Sequence, residues 1–433
     1  MKRREFLTRT MLLGVAGLGL RVPRLYGAPL SPYSGRLLVT LQAEGGWDVT
    51  SFCDPKVNQP GEPEITNWSK SKEIRTAGNL KYAPFAKNTE LFEKYHRYML
   101  VINGIDAQTN SHTTGVLHNW SGRNAEGFPS LTALFAAHNA PKQPLSYINF
   151  GGFGQTGGVI RFSRLDDVNT LRGLLEPAYS HFDTWGNQDV YHRRLSDMER
   201  IRKYRQERFA RMLEDPRLLA RQQANLEAYA DALESKSALV HFSDYIPAES
   251  DVLEDVQVHE RHRSNLPRQI QMTIAAFRSG LASAADLYTG GYDTHTDHDN
   301  QHQALFSHLA DMIDLFWTHA EEAGVADRIT LVIGSDFGRT PQYNADDGKD
   351  HWPIGSVIVM ERNAAWGNRV AGLTDEGHNA LKVQPTTLKQ DRNGTLIYPK
   401  HVHKALRRHL GLGSTTIASG FPFNNTEDFA FFG

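Results

Sequence analysis

The sequence predicts an α/β fold: a three-layer sandwich on a mostly parallel sheet, with one helical insertion. Three observations predict it. Apolar runs of four to six residues recur along the chain, amphipathic helical stretches separate them, and several runs end in turns bearing glycine and aspartate. Continuous apolar runs, as opposed to strict alternation, mark strands covered on both faces. Strands alternating with helices place helical layers on either side of such a sheet.

The chain opens on an address. Lys2-Arg3-Arg4-Glu5-Phe6-Leu7 precedes an apolar run from Met11 to Leu20 that is too short to span a bilayer. A basic start, a short apolar run and then small residues describe an export signal, and the paired arginines make it of the twin-arginine (Tat) type. The segment is taken as residues 1–28 and the body as 29–433. Tyr26-Gly27-Ala28 is a weak cleavage site, so the segment could remain as an anchor. It carries six basic groups and one acid. Of 47 basic and 49 acidic residues in the whole chain, 41 and 48 then belong to the body.

The expected strands run, in order, over Arg36 to Leu41, Tyr98 to Asn103, Leu145 to Phe150, Ala285 to Tyr288, Ile329 to Ile333 and Ser356 to Met360. Expected helices include Leu266 to Arg278, stopped at Gly280, and His302 to Ala323, stopped at Gly324. The stretch of about 187–263 is rich in Arg, Glu, Gln and Ala and lacks a strand-like run. It reads as an inserted pair of helices, Asp189 to Leu213 and Arg217 to Ser237, around Pro216. A solvated helical hairpin is the simpler account of it, a partner-binding face the sharper one.

Composition excludes several classes. With 40% apolar or aromatic and 22% charged residues the chain is not disordered. A single cysteine, Cys53, rules out a disulfide scaffold or multi-cysteine zinc module and reads as an inert small residue. A net charge of -2 gives no sign of nucleic acid, and no other stretch is apolar enough to cross a membrane.

Chemistry gathers where strands end, the edge at which open α/β sheets bind ligands. Three strands lead into turns carrying Asp48, Asp293 and Asp336. One such Asp is ordinary turn chemistry; three at one edge repel unless a cation joins them. His295 and His298 follow Asp293, and Asp350-His351 comes later. Mixed carboxylate and imidazole ligands suit Zn, Mn or Fe, while carboxylates with carbonyls and water suit Ca or Mg. Ser111 and Thr113 stand at the expected start of a helix, where backbone N–H groups favour an anion. Each is equally an ordinary helix cap. Arg339 could clamp an anionic substrate or serve in a structural ion pair. His298 and His302 could form a metal pair on one helix face. His302, His308, His401, His403 and His409 are expected at the surface.

Gly45-Gly46-Trp47-Asp48, Ser111-His112, Gly291-Tyr292-Asp293-Thr294-His295, Ser335-Asp336-Phe337-Gly338-Arg339 and Asp350-His351 follow one another as in a known family. The chain resembles the Tat-exported family called domain of unknown function 1501, itself similar to the alkaline phosphatase and sulfatase clan. The resemblance covers the whole body. It implies an alkaline-phosphatase-like sandwich and an exported, periplasmic or extracellular hydrolase of phosphate or sulfate esters. It also implies a divalent metal ion (Zn, Mn, Ca or Mg) held by Asp48, Asp293, His295, Asp336 and His351. Ser111 matches the nucleophile, with Thr113 as the alternative, and Arg339 would stabilise the anion. Its partners would be an anionic ester and the Tat machinery. Phe337 stands where the clan has a second-metal histidine, which favours a single metal, and the sulfatase Cys-x-Pro-x-Arg motif is missing. A catalytically degenerate binding protein that keeps the fold is the competing expectation.

Overall fold

The computed structural model describes residues 31–433 apart from 152, 169–170, 172–174, 176–178, 181–189 and 192–193. The expected export segment, residues 1–28, lies outside them. Seven strands form the main sheet: β1 (Leu37–Ala43), β2 (Met99–Asp106), β3 (Tyr147–Asn149), β4 (Ala284–Thr289), β5 (Ile329–Gly334), β6 (Ile354–Glu361) and β7 (Arg369–Ala371). Their order is β7-β2-β6-β5-β1-β4-β3. β6 pairs antiparallel with both neighbours, and the remaining pairs are parallel. The apolar pattern of β6 fixes its burial on both faces but carries no information about direction.

The described helices of four residues or more that matter to the layers are α1 (Asn88–Tyr95), α2 (His112–Ser121), α3 (Leu131–Asn139), α4 (Leu195–Leu213), α5 (Ala220–Phe242), α6 (Leu266–Arg278), α7 (His298–Glu322) and α8 (Pro399–His409). Side chains of β1 alternate between two cores, as the period of a strand requires. Leu37, Val39 and Leu41 join a cluster with α1, α6 and α7. Leu38 joins another with α3 and α8. The sheet is thus the middle of three layers, the architecture the sequence predicts.

Helix limits follow local chemistry. α6 ends before Gly280 and α7 before Gly324, both with positive φ that a side chain would strain. Leu305, Leu309, Ile313 and Phe316 form the expected buried stripe of α7, each contributing roughly 1.5–3 kcal/mol of burial free energy. In the insertion, α4 closes at Leu213, and the Asp215 carboxylate accepts the Arg217 N–H across the proline turn. α5 starts at Ala220, three residues later than the sequence suggests, and runs on to Phe242.

The histidines expected at the surface are mostly buried. His302 and His401 are 0% exposed, His403 2% and His308 7%; only His409 is partly open. α8 is covered on two sides: His401 lies against Phe429 of the segment that follows, and His403 Nε2 donates to the Asn119 carbonyl of α2 at 2.7 Å. Helical periodicity shows which side of α8 is apolar but not that a later segment folds back over its polar side.

Burial pushes the buried ones down, His403 to about 3, and does the same to one further buried imidazole, His378, to about 4. An unfolded histidine titrates near 6.5, so below that pH the unfolded chain binds protons that the fold refuses. Stability is therefore complete above about pH 6.5 and falls as pH drops. The loss between pH 7 and pH 5 is on the order of 2 kcal/mol for each of these two groups. Denaturant midpoints at the two pH values check this, and equal midpoints would contradict it.

Candidate metal centre at the sheet edge

Four chain segments leave the carboxyl edge of the sheet and meet. After β1, Gly45 and Gly46 take φ of +117° and +81°. A Cβ on Gly45 would lie 2.3 Å from the Asp293 nitrogen, so the turn after β1 and the turn after β4 touch only because this residue is glycine. After β5, the Asp336 carboxylate accepts the N–H groups of Gly45 and Gly46 at 3.0 and 2.9 Å. After β2, the chain enters α2 at Ser111, and His112 is its first residue. A short hairpin pairs Arg339 with His351 and delivers the last imidazole.

The centre of this arrangement is a set of imidazoles facing one another. His351 Nε2 lies 3.1 Å from His112 Nε2 and 3.1 Å from His295 Nε2. The Asp293 carboxylate is 3.0 Å from His295 Nε2, 3.2 Å from His351 Nε2 and 3.4 Å from His112 Nε2. Each ring has an acceptor on its outer side. His112 Nδ1 donates to Asp336, His295 Nδ1 to Asp350 at 2.7 Å, and His351 Nδ1 to the Asn110 carbonyl at 2.8 Å. With the outer nitrogens as donors, the His351 Nε2 lone pair faces those of His112 and His295. That contact is repulsive unless a metal ion or a proton sits among them.

The donor set fits a metal ion. Ligands at the 2.0–2.1 Å of a zinc–imidazole bond stand about 3.3 Å apart around a tetrahedral ion, close to the separations here. Outer carboxylate and carbonyl acceptors are the usual means of fixing a ligating imidazole. Among the described residues, donor atoms of His112, Asp293 and His351 all fall within 4.8 Å of one another. Burial would raise the Asp293 carboxyl, but the Arg339 guanidinium and His351 outweigh it and hold it at about 2. The hydrogen bond to Asp336 raises His112, so protons compete with a metal for this nitrogen.

The expected ligands divide. Asp293, His295 and His351 meet at the centre, and His112 joins them. In the sequence His112 carries one signal only, its place beside Ser111 at the start of a helix that follows a strand. Asp336 stands one step out, behind His112 and under the glycine turn. Asp48 is 0% exposed and lies in a separate polar cluster. Arg339 requires a correction. It is 0% exposed, and its guanidinium is engaged by the carbonyls of Gly45, Gly46 and Lys349 and by Asp293. It orients a ligand and has no free face for a substrate. Phe337 packs its ring 4.9 Å from His112 and 4.8 Å from His351, walling one side of the centre.

The Asp48 cluster closes on itself. The Asp48 N–H donates to His302 Nε2 at 3.2 Å, which leaves the His302 proton on Nδ1, 3.2 Å from Thr294 Oγ1. The Thr294 hydroxyl donates to His298 Nδ1 at 2.7 Å, and His298 Nε2–H donates to Asp48 Oδ2 at 3.0 Å. Every ring nitrogen in this cluster has a hydrogen-bond partner. Burial lowers both imidazoles, His302 well below its usual value, so both are neutral. His298 and His302 thus share a helix face, as expected, but no lone pair of theirs is open to a metal.

Ser111 and Thr113 are exposed at the start of α2. Ser111 occupies the cap position, yet its side chain makes no capping hydrogen bond, unlike Ser130, which caps α3 through the Ala133 N–H. A cleft of about 260 Å³, lined by Gln42, Glu44, His112, Thr113, Phe153 and Tyr288 among others, opens at Thr113. Cys53 is buried, and desolvation pushes its thiol up, as expected of an inert residue.

A family model described as "Protein of unknown function (DUF1501)" matches residues 36–409. No curated protein is similar in sequence. Among solved structures, Ps i-CgsB in complex with k-i-k-neocarrahexaose is 8% identical, over 92% of this chain and 76% of that one, with a TM-score of 0.42. The PsFucS1 sulfatase from Pseudoalteromonas sp. is 11% identical, over 92% and 70%, with a TM-score of 0.39. A protein of the alkaline phosphatase superfamily from Vibrio parahaemolyticus is 9% identical, over 95% and 76%, with a TM-score of 0.37.

Proposed function

The chain belongs to the DUF1501 family, and from its site we propose a metal-dependent hydrolase of phosphate or sulfate monoesters, exported by the Tat route through residues 1–28. The observation that carries the metal part is the convergence of three Nε2 atoms on Asp293 with all three outer nitrogens already engaged. Ser111, an exposed hydroxyl that its helix does not use, supports the hydrolytic part. Among the described residues no helix is long and apolar enough to cross a membrane.

His112, Asp293, His295 and His351 would hold the ion, which would supply charge to offset that of the ester and lower the pKa of a nearby hydroxyl. The first-turn N–H groups of α2 face the ester's equatorial oxygens. Ser111 Oγ attacks phosphorus or sulfur, forming one bond as the bond to the alcohol oxygen breaks. The proton that Ser111 Oγ gives up passes through water to the departing alcohol oxygen, the alcohol leaves through the cleft, and water then cleaves the Ser111 ester, returning the proton to Oγ and freeing the acid. Arg339 keeps Asp293 ionised and aimed.

Purified protein is expected to hydrolyse an aryl phosphate or aryl sulfate, to lose turnover with a chelator and to recover it with added Zn or Mn. A second reading is a catalytically silent protein that retains the ion, favoured by Phe337 beside the centre. Metal bound at full occupancy without turnover across a broad ester panel would select it.

A further inference from the structure

We propose that Lys349 is a built-in cation that reserves Asp48 and limits the site to one divalent ion. The inference rests on the metal centre proposed above. Asp48 is one of the carboxylates that the sequence marks as a metal ligand, yet here its oxygens receive five donors. Oδ1 takes the Thr50 N–H at 3.0 Å and the Thr50 hydroxyl at 2.6 Å. Oδ2 takes the Ser51 hydroxyl at 3.1 Å, His298 Nε2 at 3.0 Å and the Lys349 ammonium at 2.8 Å. A carboxylate offers about four lone-pair directions, so none remains for a metal.

Charge balances as well. Lys349 and Asp48 are both 0% exposed at the side chain, and the two imidazoles of the ring are neutral, so the pair is electrically closed without an ion. Burial would raise the Asp48 carboxyl, but Lys349 and His298 outweigh it and hold it well below its usual range. The contrast with the neighbouring centre is one of lone pairs. At His112, His295 and His351 the inner nitrogens stand open to a metal ion or a proton; around Asp48 each ring nitrogen already has a hydrogen-bond partner. Two clusters of histidine and aspartate therefore lie at one sheet edge, and only one of them calls for an ion. Lys349 is two residues before His351, so the same short segment that completes the metal centre closes the other cluster.

The test counts ions. Full-length protein equilibrated with Mn or Zn and desalted is expected to carry one ion per chain by elemental analysis. Its Mn form should give the electron-spin spectrum of an isolated ion. Lys349→Ala removes the one cation at Asp48; the Thr50 and Ser51 hydroxyls can then turn from donating to Asp48 to offering their own lone pairs, and the variant is expected to take up a second ion. The double variant with Asp48→Asn and Lys349→Met removes both charges and is expected to return to one. Two ions in the unaltered protein, or a folded Lys349→Ala variant that stays at one, overturns the proposal. Should Lys349→Ala fail to fold, the count in the unaltered protein decides: one supports the proposal and two overturns it. No ion at all overturns the metal centre itself, which is a distinguishable failure.

Discussion

Replacing His112 with alanine is expected to lower divalent-metal affinity by more than 100-fold and to abolish metal-dependent turnover with it. Loss of an outer partner at a metal site typically costs about 10–100-fold, and loss of a ligand costs more. His112 donates an inner nitrogen and is also the link through which Asp336 acts, so its removal takes both contributions at once. Asp336→Asn and Asp350→Asn should fall within the 10–100-fold range. Isothermal titration with Zn measures the series. Thermal melting gives a second readout, because an ion that binds only the folded state raises the melting temperature with concentration; His112→Ala should melt at the same temperature with and without chelator. Metal affinity equal to that of the unaltered protein would remove His112 from the centre.

Ser111→Ala is expected to lower kcat by roughly 10³-fold or more, the scale seen when an enzyme loses its nucleophile, with metal content unchanged. Ser111 makes no capping bond, so the usual cost of about 1 kcal/mol for removing a cap should not appear. Loss of turnover without loss of stability separates a nucleophile from a cap. Thr113→Ala should stay within about tenfold of the unaltered rate. The opposite ranking would transfer the role to Thr113, and two mild effects would sink a hydroxyl nucleophile altogether. Single-turnover kinetics, with chelator melts as the stability control, decide among these.

Much of this architecture is legible in the chain. The apolar runs that became β1, β2, β5 and β6 announce themselves because strands buried on both faces need no polar alternation. Asp293, His295 and His351 are legible because two short motifs place them at strand or hairpin ends, where a sheet exposes its ligands. What stayed hidden depends on residues distant in sequence. Lys349 reaches Asp48 across 301 positions, and no local pattern distinguishes a buried lysine from a solvated one. His112 lies at the start of α2, where it reads as an ordinary helix residue until β5 brings Asp336 beside it. Arg339 looks available to a substrate until the glycine turn after β1 supplies the carbonyls that occupy it. The direction of β6 is invisible because hydrophobicity has no polarity along the strand.

The closed ring of Asp48, His302, Thr294 and His298 has a consequence for proton traffic. Each hydrogen in it points the same way around, and one belongs to a backbone amide, which does not ionise at ordinary pH. Handing a proton along such a circle would require every member to reverse its sense, and the amide cannot. The ring is a blind alley for protons. Protons exchange with bulk water on the other side of the centre, where Ser111, His295 and the Asp350 carboxylate are exposed.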